Sequence, residues 1–454
     1  MQAGPVLREY QRRGVQIFET LPRPARYFFA WDMGAGKTLG AISVARTFAR
    51  NKCLVVCPAI VRENWAREIR KHWPEVSVGV IAWGRTRNGL SKAQVALREE
   101  AYNADVQIIS YDLLKQVRPT GWDMVIVDEF HNLRSCMSQQ SKWVRVFLKA
   151  NPEAWALGLS GTPIPNEAKQ LWNPVDTFFP GVWGKQTRKD MEPYPFVKRF
   201  CLWEESDYGG GKFYGLRPEK RAELEEAFAK ISMRVVQEDF AEHLPPLFVE
   251  PLYINERVDP VAVARDWYKE NRETSAHVGI YTHLRETAAK IDAALGARYL
   301  VTGNVPPKCR DQMLEECRIQ PKSLLVGTTH ALKEGISLSF QKTALVVEWT
   351  TRVDEVVQFI ARFARQDSTS KVPTRVQFVV GPSDHGRAEI LSQRIADIQS
   401  VVKASRADKA AAGVFAAQEM SDEDFQSQLS NLIAQHEKRA VLWSASEDDD
   451  DEED

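Results

Sequence analysis

The stretch Tyr27-Phe28-Phe29-Ala30, then Trp31-Asp32-Met33-Gly34-Ala35-Gly36-Lys37-Thr38, then a helical pattern over 39–48, is the one on which the fold turns. An apolar run that passes through glycines into a helix start offers a row of backbone N–H groups and a positive dipole end, which together suit a nucleotide phosphate. In that arrangement Gly34, Ala35 and Gly36 form the cradle, Lys37 reaches the β- and γ-phosphates, and the Thr38 hydroxyl holds Mg²⁺. The full phosphate-loop pattern has glycine where Trp31 stands, so the match is to the core Gly-x-Gly-Lys-Thr. The plain alternative is a turn with an incidental lysine, and the strand and helix flanking the loop argue against it.

Working outward, 454 residues amount to roughly three units of ordinary domain size, and 44% hydrophobic residues supply enough material for two large cores. The net charge of -1 hides an uneven balance. Residues 447–454 are all acidic, and without those eight the count is 60 basic against 53 acidic. A mildly basic body with a strongly acidic end points to a polyanion partner. Such an end ordinarily serves as a solvated, solubilising tail; the functional alternative is a mimic of that polyanion which occupies the basic groove in its absence. The six cysteines form no Cys-x-x-Cys pair and have no histidines at zinc spacing, so they read as thiols of a reducing compartment. No apolar run approaches the ~18 residues of a membrane span, and no leader pattern opens the chain. A cytoplasmic protein, either free in the cytosol or nucleoid-associated, that does not touch the membrane is expected.

Upstream of the loop, residues 7–18 read as a helix carrying Gln11, whose amide can donate to and accept from an adenine edge at once. Downstream, apolar strands are expected at 53–57, ending at Pro58, at 107–111, ending at Tyr111, and at 124–128. The last runs into Asp128-Glu129-Phe130-His131. There Asp128 is placed to hold Mg²⁺ through water and Glu129 to orient and deprotonate an attacking water; an acidic turn after a strand is the plain reading. A further strand at 155–159 leads into Ser160-Gly161-Thr162-Pro163. Strands alternating with helical patterns predict a parallel sheet with nucleotide at its carboxyl edge.

From 170 to 246 aromatics crowd together, followed by Gly209-Gly210-Gly211 and a charged helix over 218–231. These aromatics serve either a partner or, more commonly, a core. After Leu247 a second alternating region begins, with strands at 278–281, 324–326, 344–347 and 376–380 and helices at 284–295 and 309–317. Gly335 lies in a turn between two of these strands. Residues 354–365 place Gln358, Arg362 and Arg365 near one helical face. That stripe is either a solvated surface or, opposite a phosphate loop, an arginine finger, a device worth ~10³ to 10⁵ in rate. A helix over 387–403 is expected to brace the two halves, and 404–441, rich in alanine, glutamine and charge, is expected to be helical and partly loose. The acids beyond residue 444 repel one another, which predicts disorder.

The order of these motifs resembles the Swi/Snf-type ATPases of helicase superfamily two over roughly residues 5–385. The adenine-reading segment is similar to 7–15, the loop to 31–38, and a Cys-Pro then Asn-Trp-x-x-Glu element to Cys57-Pro58 and Asn64-Trp65-Ala66-Arg67-Glu68. The Asp-Glu-x-His box falls on Asp128 to His131, the coupling turn on Ser160, Gly161 and Thr162, the Pro-x-Asn on Pro165-Asn166, and the closing Gln-x-x-x-Arg-x-x-Arg on Gln358, Arg362 and Arg365. Within the family, 159–163, the run from Phe200-Cys201 through Met233-Arg234 to Leu244-Pro245, and Glu348 look closest to the fork-remodelling, annealing-helicase branch. Trp31-Asp32, Thr351-Arg352-Val353 and Gln366-Asp367-Ser368 depart from the family pattern.

The resemblance implies an α/β protein of two tandem RecA-like lobes with a helical insertion between them. The expected division is lobe 1 at 1–180, insertion at 181–246, lobe 2 at 247–386, brace and helical segment at 387–443, and acidic tail at 444–454. It also implies ATP with Mg²⁺, Gly335 at the nucleotide, and DNA contacts at Pro58, Tyr111, Thr302, Gly303, Thr328 and Thr329. The implied activity is translocation on double-stranded or forked DNA by a monomer of compact bacterial or phage type. Two alternatives stay open: a motor that displaces proteins or stalled polymerase from DNA, with replication or transcription proteins as partners, and an ATP-gated DNA-binding module with little motor activity.

Overall fold

The computed structural model describes residues 6–22, 25–49, 51–82, 92–183, 194–205, 211–240, 246–254, 259–332, 337–363, 372–404 and 406–416. The apolar runs become strands: β1 Arg26–Trp31, β2 Cys53–Cys57, β3 Val78–Ile81, β4 Val106–Ser110, β5 Met124–Asp128 and β6 Trp155–Leu159. β7 Cys201–Glu205 and β8 Gly211–Leu216 form an antiparallel pair, and β9 Ser232–Val235 follows. β10 Leu247–Tyr253, β11 His277–Thr282, β12 Tyr299–Val301, β13 Ser323–Thr328, β14 Thr343–Val346 and β15 Thr374–Val380 complete the set.

The first sheet has the order β3-β4-β2-β5-β6-β1-β9 and the second β10-β15-β14-β11-β13-β12, and every pairing within these two sheets is parallel. Helices cover both faces, which is why β2, β4 and β6 are buried along their whole length rather than in alternation. On β1 the two faces separate cleanly: Phe29 and Trp31 enter one core cluster, Phe28 and Ala30 the other. The result is two tandem RecA-like lobes, each a parallel sheet between helices.

The segment between the lobes contributes more than helices. It holds the β7–β8 pair, and β9 returns to pair with β1 as the edge of the first sheet. β9 is only four residues long and Ser232 and Arg234 interrupt it, so no apolar run announces it. The aromatics of this region are core: Trp172, Phe178, Trp183, Phe196 and Phe200 are all buried. They belong to a cluster that continues without a break to Val376, Phe378, Ile395 and Phe415, so one apolar body runs from the first lobe to the second.

The expected brace is the helix His385–Gln399, followed by Arg406–Ala416. Arg394 pairs with Glu167 at 2.8 Å and donates to Thr351 O at 3.0 Å. Asp397 accepts from Leu216 N at 3.1 Å and from Arg221 at 2.9 Å. This one helix therefore grips lobe 1, lobe 2 and the intervening hairpin. Among the described residues no helix is long and apolar enough to cross a membrane.

Candidate active site

In the first sheet β5, β6 and β1 are neighbours, so the turns after them share one edge. After β1 the chain turns through Gly34 at φ 82° and Gly36 at φ 71°, a left-handed backbone that glycine adopts at no steric cost. The helix Lys37–Phe48 starts directly behind Gly36, so its free N–H groups face the turn. Lys37 Nζ donates to Trp31 O at 3.0 Å and Asp32 O at 3.3 Å, which holds the side chain folded across the loop.

Gln11 and Tyr10 lie on the helix Glu9–Thr20 and close over the same loop. Gln11 Nε2 donates to Ala35 O at 3.2 Å, its Oε1 accepts from Arg8 N at 2.9 Å, and Tyr10 donates its hydroxyl to Ala35 O at 2.7 Å. A Cβ on Gly36 would stand 2.5 Å from Gln11 Nε2, so the approach of this amide requires glycine there.

β5 ends in the acidic pair. Asp128 Oδ2 accepts from Trp65 Nε1 at 2.8 Å, and its Oδ1 accepts from Glu129 N at 3.0 Å. Burial, then the neighbouring Glu129 charge, push the Asp128 carboxyl up to about 7 against the opposing pull of Trp65 and Lys37. For Glu129, burial also pushes upward, but the hydrogen bond and charge of His131, with Lys37 behind them, win and hold its carboxyl below the usual range. The two buried carboxyls crowd one another beside Lys37, with Asp128 raised and Glu129 lowered, a concentration of negative charge that suits a cation and leaves Glu129 ionised. Glu129 has φ 54°, and no other described non-glycine residue has a positive φ. Tyr111 supports that turn, donating its hydroxyl to Asp128 O at 2.6 Å.

A polar chain runs on from the pair toward the second lobe. His131 Nδ1 lies 3.2 Å from Glu129 Oε2 and 2.9 Å from Ser160 Oγ; Ser160 Oγ in turn accepts from Thr162 N at 3.1 Å. Gln358, on the lobe-2 helix Val353–Ile360, donates to Thr162 Oγ1 at 3.0 Å. Alongside, Asp354 N donates to Pro165 O at 2.6 Å and Val353 N to Asn166 Oδ1 at 3.2 Å. Arg362 is buried just past that helix. Arg365 and Gly335 lie outside the described residues.

The residues expected at DNA divide. Gly303 is exposed, and Pro58 and Thr302 are half-buried. Tyr111, Thr328 and Thr329 are buried, with the Tyr111 hydroxyl on Asp128 O and Thr329 Oγ1 donating to Glu355 at 2.9 Å, so these three side chains form no open surface. Thr328 closes a buried strand, and the Tyr111 and Thr329 hydroxyls are used beneath the turns that follow β4 and β13. Sequence reasoning assigned no role to Trp65, Tyr10 or Arg234. Each is a polar tip on a large side chain, and nothing in linear spacing shows which turn such a tip will reach.

A phosphate loop, an acidic pair and a small polar turn on three neighbouring parallel strands, met by a glutamine from a second parallel lobe, form the nucleotide cleft of a two-lobed, helicase-like fold. The chain belongs to the SNF2-related family, whose domain pattern matches residues 10–300, well over half of its length. It is 30% identical over 203 residues to Protein CHROMATIN REMODELING 19 of Arabidopsis thaliana, covering 39% of this chain and 26% of that protein. It is 31% identical over 189 residues to SWI/SNF-related matrix-associated actin-dependent regulator of chromatin subfamily A-like protein 1 of Xenopus tropicalis, covering 39% of this chain and 18% of that one. The chain thus spans about a quarter or less of the length of these relatives. Among solved structures, the Sulfolobus solfataricus SWI2/SNF2 ATPase core in complex with dsDNA aligns over 92% of this chain and 96% of that one at 18% identity, with a TM-score of 0.42.

Proposed function

We propose that this chain is a DNA-dependent ATPase that translocates on double-stranded DNA and remodels forked or branched DNA. The observation that carries the reading is the unbroken polar chain from Glu129 through His131, Ser160 and Thr162 to Gln358, because it joins the water-activating carboxylate to the second lobe. A motor needs such a link, so that hydrolysis and lobe movement bias one another. Family membership supports ATP as the substrate.

The phosphates of ATP suit the N–H groups behind Gly34, Ala35 and Gly36, with Lys37 as their cation. Thr38 and Asp128 would hold Mg²⁺. The donors are hard oxygens, and the Asp128 carboxyl is buried against the Glu129 charge, so the chemistry fits a hard divalent ion. When bound, the ion would neutralise charge on the phosphates. Glu129, held ionised, takes the proton of the attacking water, and His131 with Ser160 fixes its orientation. Gln11, its amide engaged on the loop backbone, also aligns the loop for the nucleotide. Arg362 and Arg365 are the proposed lobe-2 cations at the γ-phosphate, and Gly335 a proposed nucleotide contact. DNA phosphates are proposed to meet the strand-end turns around Pro58, Thr302 and Gly303.

The test is steady-state ATPase with no nucleic acid, single strand, plain duplex, forked duplex and RNA, beside Lys37→Ala. Strong stimulation by duplex, stronger still by forks, and a silent Lys37→Ala are expected. Equal response to duplex and fork would replace fork remodelling by a generic duplex motor, of the kind that displaces bound proteins. No response to any nucleic acid would leave the ATP-gated binder.

A further inference from the structure

Arg234 stands on the edge strand β9, outside the motifs that build the ATP site. Its Nη2 pairs with Asp32 Oδ1 at 2.8 Å, its Nη1 donates to Ala30 O at 2.8 Å and Gly161 O at 3.1 Å, and its Nε donates to Lys403 O at 3.0 Å. One planar guanidinium therefore touches the entry to the phosphate loop, the coupling turn after β6, and the chain beyond the brace helix. The Arg234–Asp32 pair is nearly closed to solvent, its side chains 12% and 9% exposed. The same knot takes in the segment after β9: Asp32 Oδ2 accepts from Gln237 N at 3.1 Å, and Lys403 Nζ pairs with Asp239 at 2.7 Å.

The two turns that Arg234 joins carry different halves of the chemistry. The loop carries Lys37, and the coupling turn carries Ser160 and Thr162. They already sit at contact distance, since a Cβ on Gly161 would stand 3.3 Å from Lys37 Nζ. A small change in their spacing must therefore alter the site.

We infer that Arg234 is a positioning residue that sets the phosphate loop against the coupling turn and ties both to the C-terminal segment. The inference rests on the ATPase reading of the site given above. Arginine suits the task because its donors are held in a rigid fork, whereas a lysine could satisfy Asp32 but not all the carbonyls together.

The test compares Arg234→Met, Arg234→Lys, the double variant Asp32→Asn/Arg234→Met and Lys37→Ala in the full chain. The readouts are steady-state ATPase with saturating duplex DNA, binding of a fluorescent ATP analogue, and thermal unfolding. Arg234→Met should lower kcat on the order of 10²-fold, and KM for ATP should stay within about threefold, because the groups proposed to bind the nucleotide are untouched. Arg234→Lys should fall between it and the native chain. The double variant removes the orphaned carboxylate along with the guanidinium, so it should melt near the native temperature and still turn over slowly. If Arg234→Met does not fold, this variant carries the test. Near-native turnover in the double variant would reduce Arg234 to a counter-charge for Asp32, and a loss residing wholly in KM would also overturn the positioning role. Full turnover by Lys37→Ala would instead sink the reading of the ATP site itself, whatever the Arg234 variants do.

Discussion

Trp31 holds the position where the phosphate-loop pattern has glycine, and its surroundings explain how the loop tolerates it. The indole is fully buried, stacked on Phe29 at 4.2 Å and 10°, with the Tyr10 ring edge-on at 5.4 Å. Both helices that flank it present glycine to its face: a Cβ would meet the ring at 2.8 Å from Gly14 and at 2.6 Å from Gly40. The bulk missing from the helices has moved into the strand. Trp31→Ala should therefore cost about 3–5 kcal/mol as a large-to-small core change. Gly40→Ala should cost about 1–3 kcal/mol by overpacking. Combined with Trp31→Ala, the same Gly40→Ala change should become neutral or stabilising by up to about 1 kcal/mol, since alanine is the better helix former once the ring is gone. Urea unfolding of the four chains gives the coupling directly, and an equal penalty for Gly40→Ala in both backgrounds would rule out the ring as its cause.

At the scale of elements, the helix His385–Gln399 has the most to hold, and Asp397 anchors it to the hairpin and to the helix that follows the hairpin. The carboxylate is buried against Leu216 N and Arg221, and a Cβ on Gly215, at φ 130°, would stand 2.7 Å from its Oδ2. Burial raises its carboxyl above the usual range, more strongly than its partners lower it. A raised folded-state value means that the stability contributed by protonated Asp397 is fully present below the ordinary carboxylate range and is lost as pH rises through the raised value. The stability of the native chain minus that of Asp397→Asn should accordingly shrink as pH rises above the ordinary carboxylate range, as read by denaturant unfolding at several pH values. A difference that grew with pH would mean that Arg221 dominates and that the carboxylate is stabilised by ionising.

This helix also marks the limit of what the chain discloses in one dimension. The strands of both parallel sheets at 53–57, 124–128 and 376–380 were legible because double-sided burial writes continuous apolar runs. The loop, acidic pair and coupling turn were legible because their chemistry needs fixed residue types at strand ends. β9 and β10 were not, since edge strands carry mixed residues and take their place only from a partner strand. Nor were the ties of Arg394, Asp397 and Arg234, which link residues more than 160 positions apart through hydrogen bonds that leave no periodic trace.

For the whole molecule the decisive quantity is charge rather than packing. The chain carries 60 basic and 61 acidic residues, and eight of the acids form the run 447–454, so removing that run takes the formal net charge from -1 to +7. Binding to a duplex through phosphates releases counterions and falls with salt at a slope of about -0.9 per phosphate neutralised. A tethered run of eight negative charges competes for the same cations, and that competition is screened over ~10 Å at 0.1 M salt. If the tail acts as a DNA mimic, deleting residues 447–454 should tighten duplex binding several-fold near 50 mM salt and have little effect above roughly 0.3 M. Fluorescence anisotropy across a salt series separates this from the solubilising role, for which the two chains would bind alike at every salt concentration and differ only in the protein concentration at which they precipitate. The slope decides a further point. A deletion that steepens the salt dependence shows that the tail had covered cations which then contact phosphate, whereas tighter binding at an unchanged slope would mean that the tail acts through the net charge of the molecule alone.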